Sequence, residues 1–412
     1  MLQSKLFTKT QKTFPKDEEA INAKLLIKAG YIRKLSAGVY AYLPLAWRVL
    51  EKINRIIREE MNAIGGQELL LNTLVAKEYW EKTGRWETPV AFKTKAASGQ
   101  TSIPEFALGW THEEVITHLA TNFISSYKDL PLAAYQIQTK FRAEERAKSG
   151  LLRGREFIMK DLYSFHATAE DLDRYYRKVI EAYKKILRRI GLAAKVVEAA
   201  GGAFTKEYTH EFQVLLPAGE DTILHCTKGD FAQNKEIAKV KEGDGCPNCG
   251  NLIQQSNGIE VANVFKLGTR YSDAYNLKFT DAEGQSKSVL MGSYGIGPSR
   301  LLATAVDAGN DERGIIWPES ISPFKIHLVE LKSEKAAIKK SAERIYSALC
   351  KAGVEVLYDD RNVGAGEKLG DVDLLGITWR AIVSEKTGAK VELKRRDSKA
   401  IKLVAPAQLL KL

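Results

Sequence analysis

Cysteine is scarce in this chain, with four among 412 residues. A disulfide framework is therefore excluded, and a reducing, cytoplasmic setting is expected. Long apolar runs are missing as well, since no stretch approaches the ~20 residues that span a bilayer. Lys5, Lys9, Lys12 and Lys16 interrupt the apolar residues near Met1, so no signal peptide pattern and no membrane partner is expected. Internal repeats and low-complexity tracts are lacking, which excludes a solenoid. Acidic residues are the minority charge, 51 against 62 Lys and Arg, and the net charge of +11 favours an anionic partner, nucleic acid above all. What remains, 44% hydrophobic and 27% charged, is an ordinary globular composition in a chain too long for one core.

The most informative stretch is Tyr135–His166, YQIQTKFRAEERAKSGLLRGREFIMKDLYSFH. Two strand-like runs flank a polar, glycine-containing connection, the pattern of an antiparallel hairpin with a long tip. Arg142 and Glu144 are two apart and share a face, and Arg153, Arg155, Phe157 and Met159 share parity on the second run. Such a face suits a nucleotide: guanidinium groups take phosphate oxygens, the ring stacks on a base, and a carboxylate accepts from an exocyclic amine. The alternative is a surface hairpin with solvated charges.

Upstream, residues 17–35 read as a helix of imperfect periodicity, and GVYAYLPL as a short strand ended by Pro44. From Leu45 to Ile64 the stripe Val49, Leu50, Ile53, Ile56, Ile57, Met61, Ile64 predicts a helix facing a core or a subunit interface. GGQELLLNTL reads as a buried strand, and TKAASGQTS as an exposed loop. A helix is predicted to start at Thr111, where Thr111 and Glu114 form a T-x-x-E capping box that leaves Glu113 unexplained. Downstream of the hairpin, Leu172, Tyr175, Val179, Ala182, Tyr183 and Leu187 line one side of a helix that Gly191 ends. CPNCG has the spacing of half a zinc knuckle. Cys226 offers a third ligand and His225 or Asp230 a fourth; with one conventional ligand missing, the reading is reduced, unligated thiols and no zinc. In VLMGSYGIGPSR a strand leads through GIG, read as a tight turn, into a helix opened by Pro298 and Ser299. Arg300 then sits in a first turn, where the helix dipole disfavours a cation unless an anion is bound.

Beyond Pro318 and Pro323, strands KIHLVEL, VEVLY, RAIVS and KVELK alternate with helices at Lys335–Ala352 and Lys368–Gly376, predicting a small α/β sheet domain. Its segment Lys386–Lys402 carries seven basic residues against two acidic, which suits a phosphate backbone or a solvated face.

FRAE, Arg153-x-x-x-Phe157 and GIGPSR resemble, in order and spacing, motifs two and three of class II aminoacyl-tRNA synthetases. LLIKAGYIRKLSAGVYAYLP, THEEVIT, YQIQTKFRAEER, REFIMKDLYSFH and MGSYGIGPSR are similar to the bacterial form of the prolyl-tRNA synthetase family, over nearly the whole chain. The resemblance implies an α/β (α+β) protein. An antiparallel-sheet catalytic domain flanked by helices would cover residues 1–320, with a small α/β anticodon-binding domain over 321–412. It implies ATP as a substrate with Mg2+, L-proline and tRNA(Pro) as partners, and a homodimer. Arg142 and Arg300 would be catalytic, Arg142 bridging the substrate carboxylate and the α-phosphate. Glu144 would accept from the adenine amine, Phe157 would stack on the ring, and Arg153 and Arg300 would hold the outer phosphates beside Gly295 and Gly297. Thr111 and Glu113 would bind the imino group, with Met159, Phe165, His166 and Ser293 shaping the proline pocket. Glu211 would stand near metal and phosphates; Arg146 would approach the acceptor stem, and Asp360, Arg361 and Lys368 the anticodon.

Departures from the family pattern are Asn72 at the motif-one proline, Trp110 before T-x-E, Ser293 for a common cysteine, and EKLGDVD in the C-terminal domain. Many relatives also carry an editing domain between motifs two and three. Here residues 222–252 would be its vestige, so alanyl-tRNA(Pro) would be left to a separate deacylase or to tolerance. Threonyl- and histidyl-tRNA synthetases share the architecture, but no Cys/His/His set is placed to hold zinc in a threonine pocket. A non-catalytic paralogue is the rival from another class, and it would lack the motif arginines that are present here.

Overall fold

In the computed structural model the described residues are 1–96, 103–202, 204–205 and 208–412. They form two compact units, one of Ser36–Val39 with Ile53–Thr304, the other of Met1–Leu35, Tyr40–Lys52 and Ala305–Leu412. The TKAASGQTS loop falls largely outside the described residues.

The first unit is built on a nine-stranded sheet. Its strands are β1 (Gln67–Glu68), β2 (Leu132–Phe141), β3 (Glu156–His166), β4 (Lys195–Ala200), β5 (Tyr208–Leu215), β6 (Asp221–Cys226), β7 (Ala232–Asn234), β8 (Ile253–Gly268) and β9 (Leu290–Ile296), in the order β5-β4-β7-β6-β8-β9-β3-β2-β1. The hairpin is there: β2 and β3 pair antiparallel from Leu132↔Phe165 to Phe141↔Glu156. Helix α1 (Pro44–Ala63) buries the whole Val49–Ile64 stripe, and Pro44 opens it rather than merely ending a strand. Helix α2 (Glu113–Ala120) precedes the hairpin. Helix α3 (Ala169–Ile190) packs on one sheet face and stops at Gly191, whose φ of 89° is a left-handed value that glycine adopts without strain. Helix α4 (Pro298–Ala308) follows β9.

Local pattern misled the reading in two places. The helix near residue 20 covers only Ile21–Lys28, because IRKLS turns back as a strand against VYAY. GGQELLLNTL is no single buried strand: Gln67–Glu68 pair at the edge of the nine-stranded sheet, Leu74 pairs with Leu108 in a separate small sheet, and Leu70 and Leu74 are 75% and 50% exposed. An apolar run at an edge lacks a second neighbour to bury it.

The second unit contains β10 (Ile326–Glu330), β11 (Val356–Asp359), β12 (Trp379–Val383), β13 (Val391–Arg395) and β14 (Ile401–Val404) in the order β11-β10-β12-β13-β14, with helices α5 (Ala336–Lys351) and α6 (Ala365–Leu375). A core of Ile326, Leu328, Ala342, Ile345, Val356, Ala381 and neighbours fills the space between sheet and helix. The first residues of the chain join this sheet: Leu2 bridges Tyr358, His327 pairs with Gln3 at 2.7 Å, and Ser4 donates to Asp360. Among the described residues no helix is long and apolar enough to cross a membrane.

Candidate active site

Alternation along β3 sorts its side chains. Phe157, Met159, Asp161, Tyr163 and Phe165 face one way, and Ile158, Lys160, Leu162, Ser164 and His166 face α3. On that second face Lys160 meets Tyr183, Ser164 meets Tyr294 at 2.9 Å, and His166 is held between Asp171 at 2.6 Å and Ser164 at 2.8 Å. His166 therefore does not shape a pocket with Phe165, because adjacent strand residues point to opposite faces. Burial lowers its pKa, the Asp171 hydrogen bond opposing.

The first face opens on a pocket lined by Arg142, Glu144, Arg153, Phe157, Met159, Glu260, Asn263, Gly295, Gly297 and Arg300, among others. Arg142 stands just past the end of β2, its guanidinium 5.1 Å from the Phe157 ring centroid. Among the described residues it has no carboxylate partner. Burial first, and Arg300 second, lower its pKa, so its charge is held in an environment that disfavours it. Arg300, in the first turn of α4, donates through Nε to Leu152 O at 2.9 Å and through Nη1 to Glu260 O at 2.6 Å. Glu144 accepts from Arg153 Nε at 2.9 Å, and Arg153 reaches Glu220 at 3.2 Å. Arg155 turns away from this face to the carbonyls of Glu144, Ala37 and Glu145. Its shared parity with Phe157 was misleading because the strand begins only at Glu156. GIG is not a tight turn: β9 runs through Ile296, and at Gly295 a side chain would strike Asn263.

Next to this pocket lies a buried carboxylate, Glu113. It accepts from Thr111 Oγ1 and, at 3.0 Å, from Ser293 Oγ, and Arg85 stands 3.5 Å away. The capping box does not form. His112 precedes the helix, the Thr111 hydroxyl goes to Glu113, and Glu114 takes Thr83 at 2.7 Å and Arg85 at 3.0 Å. Behind this group Trp110 stacks on Trp80 with centroids 3.6 Å apart. Asp161 accepts from Gln136, Tyr163 and Lys140 at 2.9, 2.9 and 3.1 Å. His112 completes the network: burial, then Lys140, push its pKa down to about 4, so the neutral ring donates from Nε2 to Asn72 O at 2.8 Å and accepts from Lys140 at Nδ1.

Glu211 is not among the lining residues; Glu260 is. Glu211 takes Gln213 at 2.9 Å, as Asp221 does at 2.7 Å, and burial followed by Glu260 pushes the Glu211 pKa up to about 8. Glu260, Asn263, Asp221, Arg85, Asp161 and Tyr163 were missed by sequence reasoning. The available signal was polar residues within otherwise apolar strands, as in GIEVANVF.

The anticodon candidates are tied up. Lys368 is 1% exposed and donates to Glu330 O at 2.7 Å and Asp359 O at 2.9 Å. Arg361 grips Asp359 bidentately at 2.8 and 2.7 Å and reaches Asp371 at 2.8 Å. Asp360 accepts from Ser4 at 2.9 and 2.6 Å. Lys386, Lys390, Lys399, Lys402 and, on the hairpin tip, Arg146 are exposed.

Family models match residues 92–308 as the class II tRNA synthetase core domain (G, H, P, S and T) and residues 321–412 as an anticodon binding domain. The chain is 40% identical to the proline--tRNA ligase of Anaplasma marginale over 417 residues, covering 97% of this chain and 96% of that one. It is 34% identical to that of Dehalococcoides mccartyi over 555 residues, covering 98% and 97%. Its fold is similar to the prolyl-tRNA synthetase of Cryptosporidium parvum, solved with halofuginone and AMPPNP, with a TM-score of 0.79 at 17% identity over 94% of this chain and 75% of that one. A core-domain match over more than half its length, and relatives this similar along nearly all of it, place the chain in the proline--tRNA ligase family of class II tRNA synthetases.

Proposed function

We propose that this chain activates L-proline with ATP to prolyl-adenylate, releasing pyrophosphate, and transfers the prolyl group to tRNA(Pro), releasing AMP. The observation that carries the reading is Arg142, which lies over Phe157, has no carboxylate in ion-pair contact among the described residues, and lines one polar pocket together with Arg300. Relatives named proline--tRNA ligase, and the solved Giardia lamblia prolyl-tRNA synthetase in complex with prolyl-adenylate, support the same reaction.

The proline carboxylate is already a nucleophile at neutral pH, so no general base is needed. Arg142 bridges it to the α-phosphate and holds the reacting atoms in line. Phe157 stacks on adenine and Glu144 accepts from its amine. Arg300 and Arg153, the latter half-exposed at the rim, take the outer phosphate oxygens as charge moves to pyrophosphate. Glu113, fixed by Thr111 and Ser293, accepts from the imino group; Phe165 and Met159 bound the ring, and Tyr163 belongs to the same wall. Glu260, with Glu211 and Asp221 beside it, is a hard oxygen donor set of the kind Mg2+ takes; burial first and Glu260 second raise the Glu211 pKa, so a bound cation would be favoured there. These residues would hold Mg2+, which when bound neutralises phosphate charge.

Exposed Arg146 would approach the acceptor stem, and Lys386, Lys390, Lys399 and Lys402 replace Asp360, Arg361 and Lys368 as the RNA-facing residues of the C-terminal unit. The exposed Leu70 and Leu74, which follow the edge strand β1, support a homodimer. The alignment of 555 residues with the Dehalococcoides relative, against 412 here, supports a missing insertion and hence no cis-editing of alanyl-tRNA(Pro). A binding pocket alone separates substrates by only roughly 10–200-fold per methylene, so a deacylase acting in trans is a fitting partner.

ATP–pyrophosphate exchange with proline, alanine and threonine tests the reading. Proline-dependent exchange, lost in Arg142→Ala and weakened in Glu113→Ala, is expected; exchange driven by threonine, or by no amino acid, would overturn it.

A further inference from the structure

The segment between β6 and the start of β8 has almost no core of its own. Its buried apolar cluster consists of Leu224, Cys226, Cys246 and Ile253, with a few half-buried neighbours. Burial on that scale does not fix the twenty-six residues 227–252; small lobes of this kind are held by disulfides or metals. The cysteines here are free thiols.

The three sulfurs of Cys226, Cys246 and Cys249 nevertheless converge, all within 4.8 Å of one another, with Cys226 and Cys249 3.5 Å apart. Tetrahedral zinc with Zn–S bonds of about 2.3 Å sets its sulfurs ~3.8 Å apart, so this triangle needs little adjustment. The backbone is shaped around the sulfurs. Gly229 N donates to Cys226 Sγ at 3.1 Å, and Asn251 Nδ2 to Cys249 Sγ at 3.2 Å, bonds that favour the thiolate. His225, the residue that sequence offered as a fourth ligand, points instead to Ser256 at 2.9 Å.

The fourth place is legible. Cys226-Thr227-Lys228-Gly229 and Cys246-Pro247-Asn248-Cys249 are two turns of equal spacing, and a Cβ at Gly229 would lie 3.4 Å from both Cys226 Sγ and Cys249 Sγ. Gly229 thus stands where a fourth cysteine would complete a four-thiolate site. We propose that Cys226, Cys246 and Cys249 bind one Zn2+ ion as three thiolates, stapling this lobe to the sheet, with the position beside Gly229 left to an exchangeable ligand from solvent. Binding releases the thiol protons to buffer. Sequence alone gave the opposite expectation, because Cys226 and the CPNCG pair leave a fourth conventional ligand missing.

The test is metal analysis of the purified full chain, kept reduced and dialysed without chelator. About one zinc per chain is expected, falling to background in Cys249→Ser and in Cys246→Ser. Cys249 is exposed, so its serine variant tests the site even if Cys246→Ser fails to fold, and proline-dependent exchange reports folding in each. Gly229→Cys is expected to slow zinc release to a competing chelator by on the order of tenfold or more. Zinc that persists unchanged in the serine variants, or wild-type chain with no zinc and three reactive thiols, would overturn the proposal.

Discussion

Arg142 and Arg361 are both enclosed arginines at the ends of strands, yet they live in opposite electrostatic surroundings. Arg361 has Asp359 gripping it bidentately and Asp371 on its remaining nitrogen, so its charge is neutralised within the fold. Arg142 has an aromatic ring, a second arginine and, among the described residues, no carboxylate in ion-pair contact, Glu260, Glu144 and Glu113 acting on it only at longer range. Burying a charge without a partner is costly, and such a residue persists where a ligand supplies the counter-charge. A motif arginine is thus informative about binding only once its protein partners are known.

That contrast can be broken by substitution. Arg142→Ala is expected to lower proline-dependent pyrophosphate exchange by about 10²–10³-fold or more, by loss of a charge aimed at the reacting phosphate, while thermal unfolding stays close to wild type. Lys368→Met should do the reverse. Removing a cation that serves two carbonyls beside buried Asp359 should cost about 3–5 kcal/mol in urea unfolding, with tRNA affinity of the folded fraction unchanged. Equal losses of tRNA binding in Lys368→Met and in lysine variants of β14 would erase the distinction.

Glu211 sharpens the comparison through pH. Its carboxyl titrates near 4.5 in the unfolded chain and at about 8 in the fold. Between those values the native state holds a proton that the unfolded chain has released, so stability falls as pH rises from about 4.5 to about 8 and then levels. Glu211→Gln is expected to flatten that decline in thermal unfolding curves, and Mg2+ with ATP to offset it in the wild type. The smallest effect belongs to the surface. Lys399→Ala with Lys402→Ala should weaken tRNA binding a few-fold and reduce the slope of log affinity against log salt by about 0.7–0.9 for each phosphate the protein no longer neutralises.

Much of the pocket lining was legible because its residues sit on one hairpin and one strand-to-helix junction, where period-two alternation and first-turn position are local facts. Arg142, Phe157 and Arg300 are such cases. Glu260 and Asp161 were not legible, since nothing in a strand's own sequence says which neighbour its carboxylate will meet. His166 went wrong through a single step of parity, and Lys368 because a lysine in a charged segment gives no sign of being the one that turns inward. The stripe of α1 was read correctly for the same reason that GGQELLL was not. Periodicity reports what a segment can bury, whereas an edge position decides whether it does.

The pairing of Gln3 with His327 and of Ser4 with Asp360 spans 324 and 356 residues of sequence. During synthesis at ~5–20 residues per second, the opening residues wait roughly 20–70 s after they emerge before their partners exist. For that interval they trail from a growing chain with no docking place, so Gln3 and Ser4 are among the last of the described residues to take up their final structure.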